Sequence, residues 1–191
     1  MPTALTHALV PLAVGAAVIR KKPPLGFGLL TMGLAILPDI DTLGLRLGIP
    51  YEHFWGHRGF LHSPCFALVA STAATLLAGR WLSGLFRSRW RLWAFLGLVA
   101  VSHPLLDAMT DGGLGVALFS PFSNGRHFLP WRPIHVSPIG LRYLLTRWGL
   151  RTILSEMLWV WLPLAAFAAG CRVRLFLAGR VKRPSVGEDR P

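Results

Sequence analysis

Long runs of apolar residues, separated by short polar and basic segments, are the dominant pattern along the chain. Five such runs cover approximately Ala4–Ile19, Leu25–Ile40, Phe60–Ala78, Leu92–Met109 and Ile153–Gly170. A helix needs roughly 20 apolar residues to cross a bilayer perpendicularly, and shorter helices are accommodated by tilting or by local thinning of the bilayer. The pattern therefore predicts an all-α fold, a polytopic membrane helical bundle of about five transmembrane or membrane-embedded helices.

Composition agrees with a membrane protein. Hydrophobic residues make up 53% of the chain and charged residues only 15%, whereas a soluble domain has roughly 25% charged residues. The net charge of +12 is compatible with nucleic-acid binding, but the basic residues are scattered near the ends of the apolar runs, where they set orientation and meet anionic lipid. We expect membrane lipid as a partner and no nucleic acid.

The chain is expected to form one membrane-embedded domain, residues 1–179, followed by a short tail. Residues 180–191 combine Pro, Ser and Gly with mixed charge, a composition typical of a disordered segment. Thirteen of the twenty basic residues lie in the connections 20–22 and 80–91 and after residue 171. The positive-inside rule places this side in the cytoplasm, so we predict a cytoplasmic-membrane protein with its amino terminus outside and its tail inside.

The chemically reactive residues fall almost entirely on the outer side of this topology. All seven histidines and six of the eight acidic residues are placed there, and the other two acids, Glu188 and Asp189, belong to the tail. Because ionisable groups at membrane depth are costly, they usually mark function. Side chains from four apolar runs are therefore predicted to converge on a metal site.

The strongest single signal is the stretch Ser102–Gly113, SHPLLDAMTDGG. His103, Asp107 and Asp111 are spaced four residues apart, which places them on one face of a helix. The residues predicted to bind metal are His7, Asp39, His57, His62, His103 and Asp107. Imidazole and carboxylate ligands without thiolate favour a divalent ion, Zn(II) first, with Mn(II) and Fe(II) as alternatives.

Three further residues are predicted to act in catalysis: Asp41, Arg58 and Asp111. A bound metal ion would activate water as the nucleophile, and Arg58 is placed to clamp a phosphate oxygen, although a headgroup or helix-end contact explains it equally well. No nucleophile elbow of the GxSxG type is present. Ser63 and Ser102 are accordingly interpreted as helix caps.

The connection from Gly112 to about Arg151 mixes aromatic residues with Arg, His, Pro and Gly. This composition suits a segment lying at the level of the lipid headgroups. An ordered loop that caps the bundle explains it equally well. The pattern assigns no role to His127 or His135, which lie in this connection, or to Glu156 just beyond it.

Four motifs, in this order, resemble the YdjM family of bacterial inner-membrane proteins: THALVPLAVG, LPDID, HRGFLHS and SHPLLDAMTDGG. The resemblance covers Thr6 to about Pro121 and implies a metal-dependent hydrolase of the bacterial inner membrane.

More distantly, the early His, the PD and the HxxxD are similar to the zinc-dependent phospholipase C and P1 nuclease group. This likeness implies one to three zinc ions cleaving phosphoesters, with His7, Asp39, His62, His103 and Asp107 as ligands. That group has a later HxxxE, which this chain lacks unless Glu156 replaces it.

Together these features predict a membrane-bound metal-dependent hydrolase whose site faces the periplasm. The expected substrate is a phosphoester of a lipid or of another amphiphilic molecule. Two alternatives remain: a cation or proton transporter that uses the same His/Asp residues, and a non-catalytic membrane protein with a structural metal. A transport path needs polar residues at the midplane or on both sides, whereas the inner halves of the predicted spans are apolar.

Overall fold

The computed structural model describes residues 1–82, 84–138 and 145–181, and within these ranges the protein is all-helical, as predicted. The helices are α1 (Ala4–Val18), α2 (Leu25–Ile36), α3 (Thr42–Arg46), α4 (Pro64–Ala78), α5 (Arg89–Ala108), α6 (Arg147–Glu156) and α7 (Leu162–Val181). Two 3₁₀ turns, Leu37–Asp41 and Phe60–His62, precede α3 and α4, and a π-helical segment, Met157–Trp161, joins α6 to α7. The described ranges contain two isolated β-bridges and no strand.

Helix α5 lies at the centre of the bundle. It packs against α4, α2 and α1, and α1 in turn packs against α2 and α7. The buried faces form one apolar core that includes Phe27, Leu34, Phe95 and Leu96. With twenty residues, α5 is about 30 Å long, so its two ends lie at opposite ends of the bundle.

The outward faces of the helices are apolar as well. Large hydrophobic side chains are exposed on every long helix, for example Leu29 (62%), Leu77 (87%) and Leu162 (59%), and a bilayer explains such continuous apolar surface. Two helical stretches, Leu25–Arg46 and Arg147–Ala178, are long and apolar enough to cross a membrane. Helices α1 and α4 are apolar but have only fifteen residues each, so the number of five spans stays a prediction.

One of the two predicted serine caps is confirmed and the other is wrong. Ser63 Oγ accepts a hydrogen bond from Phe66 N at 3.0 Å at the start of α4. Ser102 instead lies inside α5, where its hydroxyl donates to Val99 O at 2.7 Å. The reason is that α5 begins thirteen residues earlier than Ser102, at Arg89, with Ser88 as its cap.

The long connection folds back over one end of the bundle. Backbone hydrogen bonds run from Ala117 N to Arg58 O, from Leu129 N to Ala108 O and from Ser137 N to Met1 O. Residues 112–138 thus form an ordered cap, and exposed aromatic side chains on it, such as Phe122 (92%), also fit the headgroup level.

The far end of α7 reaches into the predicted tail. Helix α7 continues to Val181, so residues 180 and 181 are helical. The remainder of the predicted disordered tail, 182–191, lies outside the described residues.

Candidate metal centre

Five buried side chains meet at the capped end of the bundle. They are His7 on α1, Asp39 on the 3₁₀ turn after α2, His62 on the 3₁₀ turn before α4, and His103 and Asp107 on α5. We call these five residues the His–Asp cluster. Asp39 retains 9% exposure and the other four retain none, so the fold removes all five from solvent.

The donor atoms of the cluster face one another across short gaps. Nε2 of His7 lies 3.4 Å from Oδ1 of Asp107, and Nε2 of His62 lies 3.4 Å from Oδ2 of the same residue. Oδ1 of Asp39 lies 3.6 Å from Nε2 of His62 and 3.5 Å from Nε2 of His103. None of these atoms makes a hydrogen bond within the described residues, and the distances exceed those of ordinary hydrogen bonds.

These distances fit atoms that share a cation. Ligands at about 2.0–2.1 Å from a tetrahedral ion lie roughly 3.3 Å apart. An unpaired buried polar atom costs roughly 1–3 kcal/mol, so a group of them at one point needs a compensating partner. Within the described residues, two groups suited to an ion, His7–His103–Asp107 and Asp39–His62–His103, share the His103 imidazole. The donor atoms of the cluster therefore fit a divalent metal ion.

Acceptors behind the cluster fix the orientation of two imidazoles. Oδ2 of Asp41 lies 2.9 Å from Nδ1 of His62, and the carbonyl oxygen of Ala35 lies 2.7 Å from Nδ1 of His103. A carbonyl oxygen can only accept, so Nδ1 of His103 carries the proton and its Nε2 lone pair is directed into the cluster. The short contact with Asp41 orients the His62 ring. The rings of His7 and His103 also stack, with centroids 3.8 Å apart.

Asp41 and His57 lie just outside the cluster. In addition to its contact with His62, Asp41 accepts a hydrogen bond from the Arg58 backbone N–H at 3.0 Å and contacts Nδ1 of His57 at 2.7 Å. Both carboxylate oxygens of Asp41 are therefore used within the protein. Asp41, His57 and His62 form a third group suited to an ion, but the hydrogen bond between His57 and Asp41 and the short contact between Asp41 and His62 favour an orienting role for Asp41 and His57.

Arg58 is brought to the cluster, but not as an open phosphate clamp. Its side chain is 1% exposed, and Nε lies 3.1 Å from Oδ2 of Asp107. Its terminal nitrogens donate to Gly112 O at 3.0 Å and to Thr110 Oγ1 at 3.1 Å. At Gly113, where φ is +91°, a Cβ would lie 2.9 Å from Arg58 Nη1. This arrangement makes Arg58 a partner of Asp107, in contrast to the predicted phosphate contact.

Asp111 is not brought into the cluster, although its spacing predicted it. Helix α5 ends at Ala108, so the face shared by His103 and Asp107 does not extend to residue 111. Oδ2 of Asp111 lies 2.6 Å from Nδ1 of His135, and Oδ1 accepts from Val136 N at 2.8 Å. Partial burial raises the pKa of Asp111, but the hydrogen bonds from Val136 and His135 outweigh it and leave this pKa below its ordinary value.

The Asp111–His135 pair opens into a cavity of about 610 Å³ on the capped end. Arg147, Trp148 and Arg151, all from α6, complete most of its lining. The two arginines are spaced four residues apart and so share one face of the helix. The cavity is therefore polar, partly basic and open to the outside of the bundle.

Glu156 does not replace a missing ligand. It is fully buried and accepts three hydrogen bonds of 2.6 Å, from Thr3 N, Thr3 Oγ1 and Thr6 Oγ1. Trp161 Nε1 donates to the same Thr6 hydroxyl at 2.7 Å. Glu156 thus ties α6 to the start of α1.

The sequence pattern missed several residues that shape the site. Arg126 donates to His57 O at 2.8 Å and to Tyr51 O, and its guanidinium lies 4.9 Å from the centre of the Tyr51 ring. These contacts hold the loop before α4 in place. The carbonyl of Ala35 could not have been found from the sequence, because a backbone acceptor has no side-chain signature. His127, in contrast, packs edge-on against Phe119 and takes no part in the cluster.

Comparison with known proteins gives a consistent result. The family model described as YdjM inner membrane protein matches residues 1–180. The chain is 42% identical over 164 residues to the inner membrane protein YbcI of Escherichia coli (strain K12), an alignment that covers 85% of this chain and 92% of that protein. No solved structure matches the chain. The matched residues include every element that contributes to the His–Asp cluster.

Proposed function

Since this chain belongs to the YdjM family of inner membrane proteins, we propose that the His–Asp cluster is the centre of a membrane-bound, metal-dependent hydrolase. The observation that carries the proposal is the set of buried imidazole nitrogens and carboxylate oxygens that face one another without hydrogen bonds. A divalent ion, Zn(II) first and Mn(II) or Fe(II) as alternatives, would when bound supply Lewis-acid activation of water and of a phosphoryl oxygen.

The chain's own residues would hold and shape this centre. Nε2 of each cluster histidine and the carboxylates of Asp39 and Asp107 are the candidate ligands. Asp41 holds the His62 ring in place, and the Arg58 guanidinium keeps a positive charge beside Asp107, which favours its ionised form. Such support from outside the ligand set limits reorganisation when an ion or a substrate arrives.

The cavity beside the centre supports a phosphoester as the substrate class. Arg147 and Arg151 line it without a carboxylate partner among the described residues, and guanidinium groups bind phosphate oxygens in paired hydrogen bonds. Trp148 is 53% exposed at its edge, as is typical of residues at the membrane–water boundary. A headgroup phosphate bound there would leave the apolar part of an amphiphilic substrate in the bilayer.

One observation favours a second candidate, a structural metal. The cluster is almost completely closed to solvent, and a structural site is saturated by protein ligands whereas a catalytic site keeps an open position. A cation pathway has less support, because residues 64–78, 92–102 and 157–171 contain no acidic or basic side chain and such a path needs polar groups at the midplane.

The test compares cluster variants with matched controls in the full chain purified in detergent. Asp39→Asn and His103→Gln are expected to lose bound divalent metal and the hydrolysis of phospholipid and of soluble phosphodiesters. Glu52→Gln and His53→Gln remove a carboxylate and an imidazole in the exposed loop before α4 and are expected to keep both properties.

Three outcomes decide between the candidates. Equal hydrolysis by wild type and both cluster variants would overturn the catalytic assignment. Bound metal that is lost in the variants, with no hydrolysis by wild type, would establish the structural site instead. A wild-type protein that binds no divalent ion, even after reconstitution with metal, would overturn both the catalytic and the structural metal site.

A further inference from the structure

A second, larger cavity opens at the end of the bundle opposite the His–Asp cluster. Its volume is about 880 Å³, and it is lined by the end of α1, the residues that follow α1, the loop before α5 and the first turns of α5. Arg91 at its mouth is twelve residues before His103 along α5, which corresponds to about 18 Å of helix. The cavity is therefore separate from the candidate metal centre.

The mouth of this cavity carries four positive charges. Arg20 and Lys21 follow α1, Arg87 precedes α5 and Arg91 lies in the first turn of α5. All four side chains are exposed. No carboxylate of the described ranges lines the cavity, and no ion pair identified in those ranges includes any of the four. Four cations around one opening repel one another, so the arrangement attracts an anion.

The wall of the cavity is apolar and continues onto the lipid-facing surface. Val18 and Leu98 line it and are 50% and 54% exposed, and Val14 and Phe95 lie further in. A small inorganic anion gains no stabilisation from an apolar wall, whereas an acyl chain is stabilised by burying its surface against it.

Exposed tryptophans mark the same end of the bundle. Trp81 (55%) and Trp90 (67%) lie just after α4 and at the start of α5. Because indole rings collect at the membrane–water boundary, this end of the bundle lies at the level of the lipid headgroups. The cavity therefore combines a basic mouth at headgroup depth with an apolar wall beside the hydrocarbon.

We propose that this cavity binds one anionic phospholipid from the leaflet at the basic end of the protein. The four basic side chains surround its phosphate, and the acyl chains lie along Val18 and Leu98. Basic pockets between helices are a recurrent way in which membrane proteins retain anionic lipid. This proposal does not depend on metal binding or hydrolysis at the other end.

The experiment measures lipid binding by the full chain in a nonionic detergent. Micelles are doped with phosphatidylglycerol or with phosphatidylcholine, and bound lipid is counted by native mass spectrometry over a concentration series. Wild type is expected to retain one phosphatidylglycerol and no phosphatidylcholine. Arg87→Gln with Arg91→Gln is expected to weaken phosphatidylglycerol binding by about tenfold to thirtyfold, because two headgroup contacts are lost.

The matched control removes the same charge elsewhere. Arg172→Gln with Arg174→Gln changes two exposed arginines of α7 that do not line the cavity, and it is expected to weaken binding by less than about twofold. Equal weakening by both double variants would mean non-specific attraction and would overturn the site. So would unchanged binding in Arg87→Gln with Arg91→Gln.

A further arm separates lipid from free phosphate. Glycerol 3-phosphate in excess is expected not to displace the lipid, and Leu98→Gln, which alters only the apolar wall, is expected to weaken lipid binding. Displacement by glycerol 3-phosphate would assign the site to a soluble phosphate and overturn the lipid proposal. Metal content is measured on the same samples and is expected to stay at the wild-type level, which keeps this result distinct from the test of the hydrolase.

Discussion

Asp41 makes three polar contacts, with the imidazoles of His57 and His62 and with the backbone N–H of Arg58. It lies only two residues after Asp39 on a 3₁₀ turn, where side chains two positions apart point about 120° away from each other. The two carboxylates of LPDID therefore serve different purposes. Asp39 faces the cluster, and Asp41 holds the rings from behind.

Replacing Asp41 tests this division at the level of one residue. Asp41→Asn is expected to lower the affinity for divalent metal by about 10–100-fold, because a partner that orients a ligand is lost while every ligand remains. Competition with a chromogenic chelator measures the change. Glu52→Gln is the control and should bind as wild type does. An unchanged affinity in Asp41→Asn would contradict the orienting role.

The buried ion pair between Arg58 and Asp107 gives a second prediction at this scale. Asp107→Ala leaves the Arg58 guanidinium buried beside no carboxylate, which is expected to lower the free energy of unfolding by about 3–5 kcal/mol. Arg58→Met in the same protein should restore part of that loss. Denaturation of metal-free protein in the presence of a chelator isolates the effect. If the double variant loses as much free energy of unfolding as the two single variants together, the two residues are not coupled.

Most of the residues that meet in the His–Asp cluster could be predicted from the sequence. The predictions that failed did so for physical reasons. His103 and Asp107 could be paired because both lie within one helix, whose periodicity is fixed. Asp111 could not be excluded, because the end of α5 at Ala108 depends on the cap that folds over it. The position of Arg58 between two histidines marks it as a candidate, but its hydrogen bonds to Gly112 O and Thr110 arise from tertiary contacts that spacing does not encode.

At the scale of elements, the bundle is closed by polar ties between segments that are distant in sequence. Glu156 on α6 accepts from Thr3 and Thr6 at the start of α1. The backbone of the 112–138 cap makes hydrogen bonds to the end of α5 at Ala108, to Met1 ahead of α1 and to Arg58 in the loop before α4. These ties explain how short helices can present His7 and His103 at a common depth.

Glu156→Gln is expected to destabilise the protein by about 2–3 kcal/mol, because bonds to a charged acceptor are replaced by bonds to an amide that also brings two unpaired donors. Thermal unfolding in detergent, compared with Glu52→Gln, measures the difference. A loss of stability without loss of metal affinity per folded molecule would confirm that Glu156 is not a ligand. A loss of metal affinity without a loss of stability would contradict the structural role of Glu156.

The pair Asp111–His135 adds a dependence on pH at the outer surface. The pKa of folded Asp111 lies below its ordinary value of 3.8, so its carboxylate stabilises the folded protein at pH values above 3.8. The contribution is lost as the pH falls through the lowered pKa. The thermal midpoint of Asp111→Asn should therefore lie below that of wild type near neutral pH, and the gap should close at strongly acidic pH. A gap that widens on acidification would contradict this.

At the scale of the whole molecule, the two ends of the bundle differ in chemistry. One end gathers imidazoles and carboxylates under an ordered cap, and the other gathers Arg20, Lys21, Arg87 and Arg91 around an open cavity. The alternation of apolar and basic segments was enough to predict this polarity. It was not enough to count the spans, because α1 and α4 are shorter than a bilayer is thick and hold their positions by packing.

The polarity predicts the orientation in the membrane. A fluorescent protein that folds only in the cytoplasm, fused after residue 191, is expected to be fluorescent, because the basic end carries the larger share of Lys and Arg. A periplasmic phosphatase fused at the same position should be inactive. The reverse pattern would place the His–Asp cluster toward the cytoplasm and overturn the predicted topology.

The π-helical segment Met157–Trp161 lies directly after Glu156, between α6 and α7. A π turn holds one more residue than an α turn. If the same residue were added to a regular α-helix, it would rotate all the following side chains by about 100° about the helix axis. The π-helical segment therefore sets the rotation of the α7 side chains relative to those of α6. It lets Glu156 face the start of α1, while the residues of α7 that follow it pack against α1 with a rotation of their own.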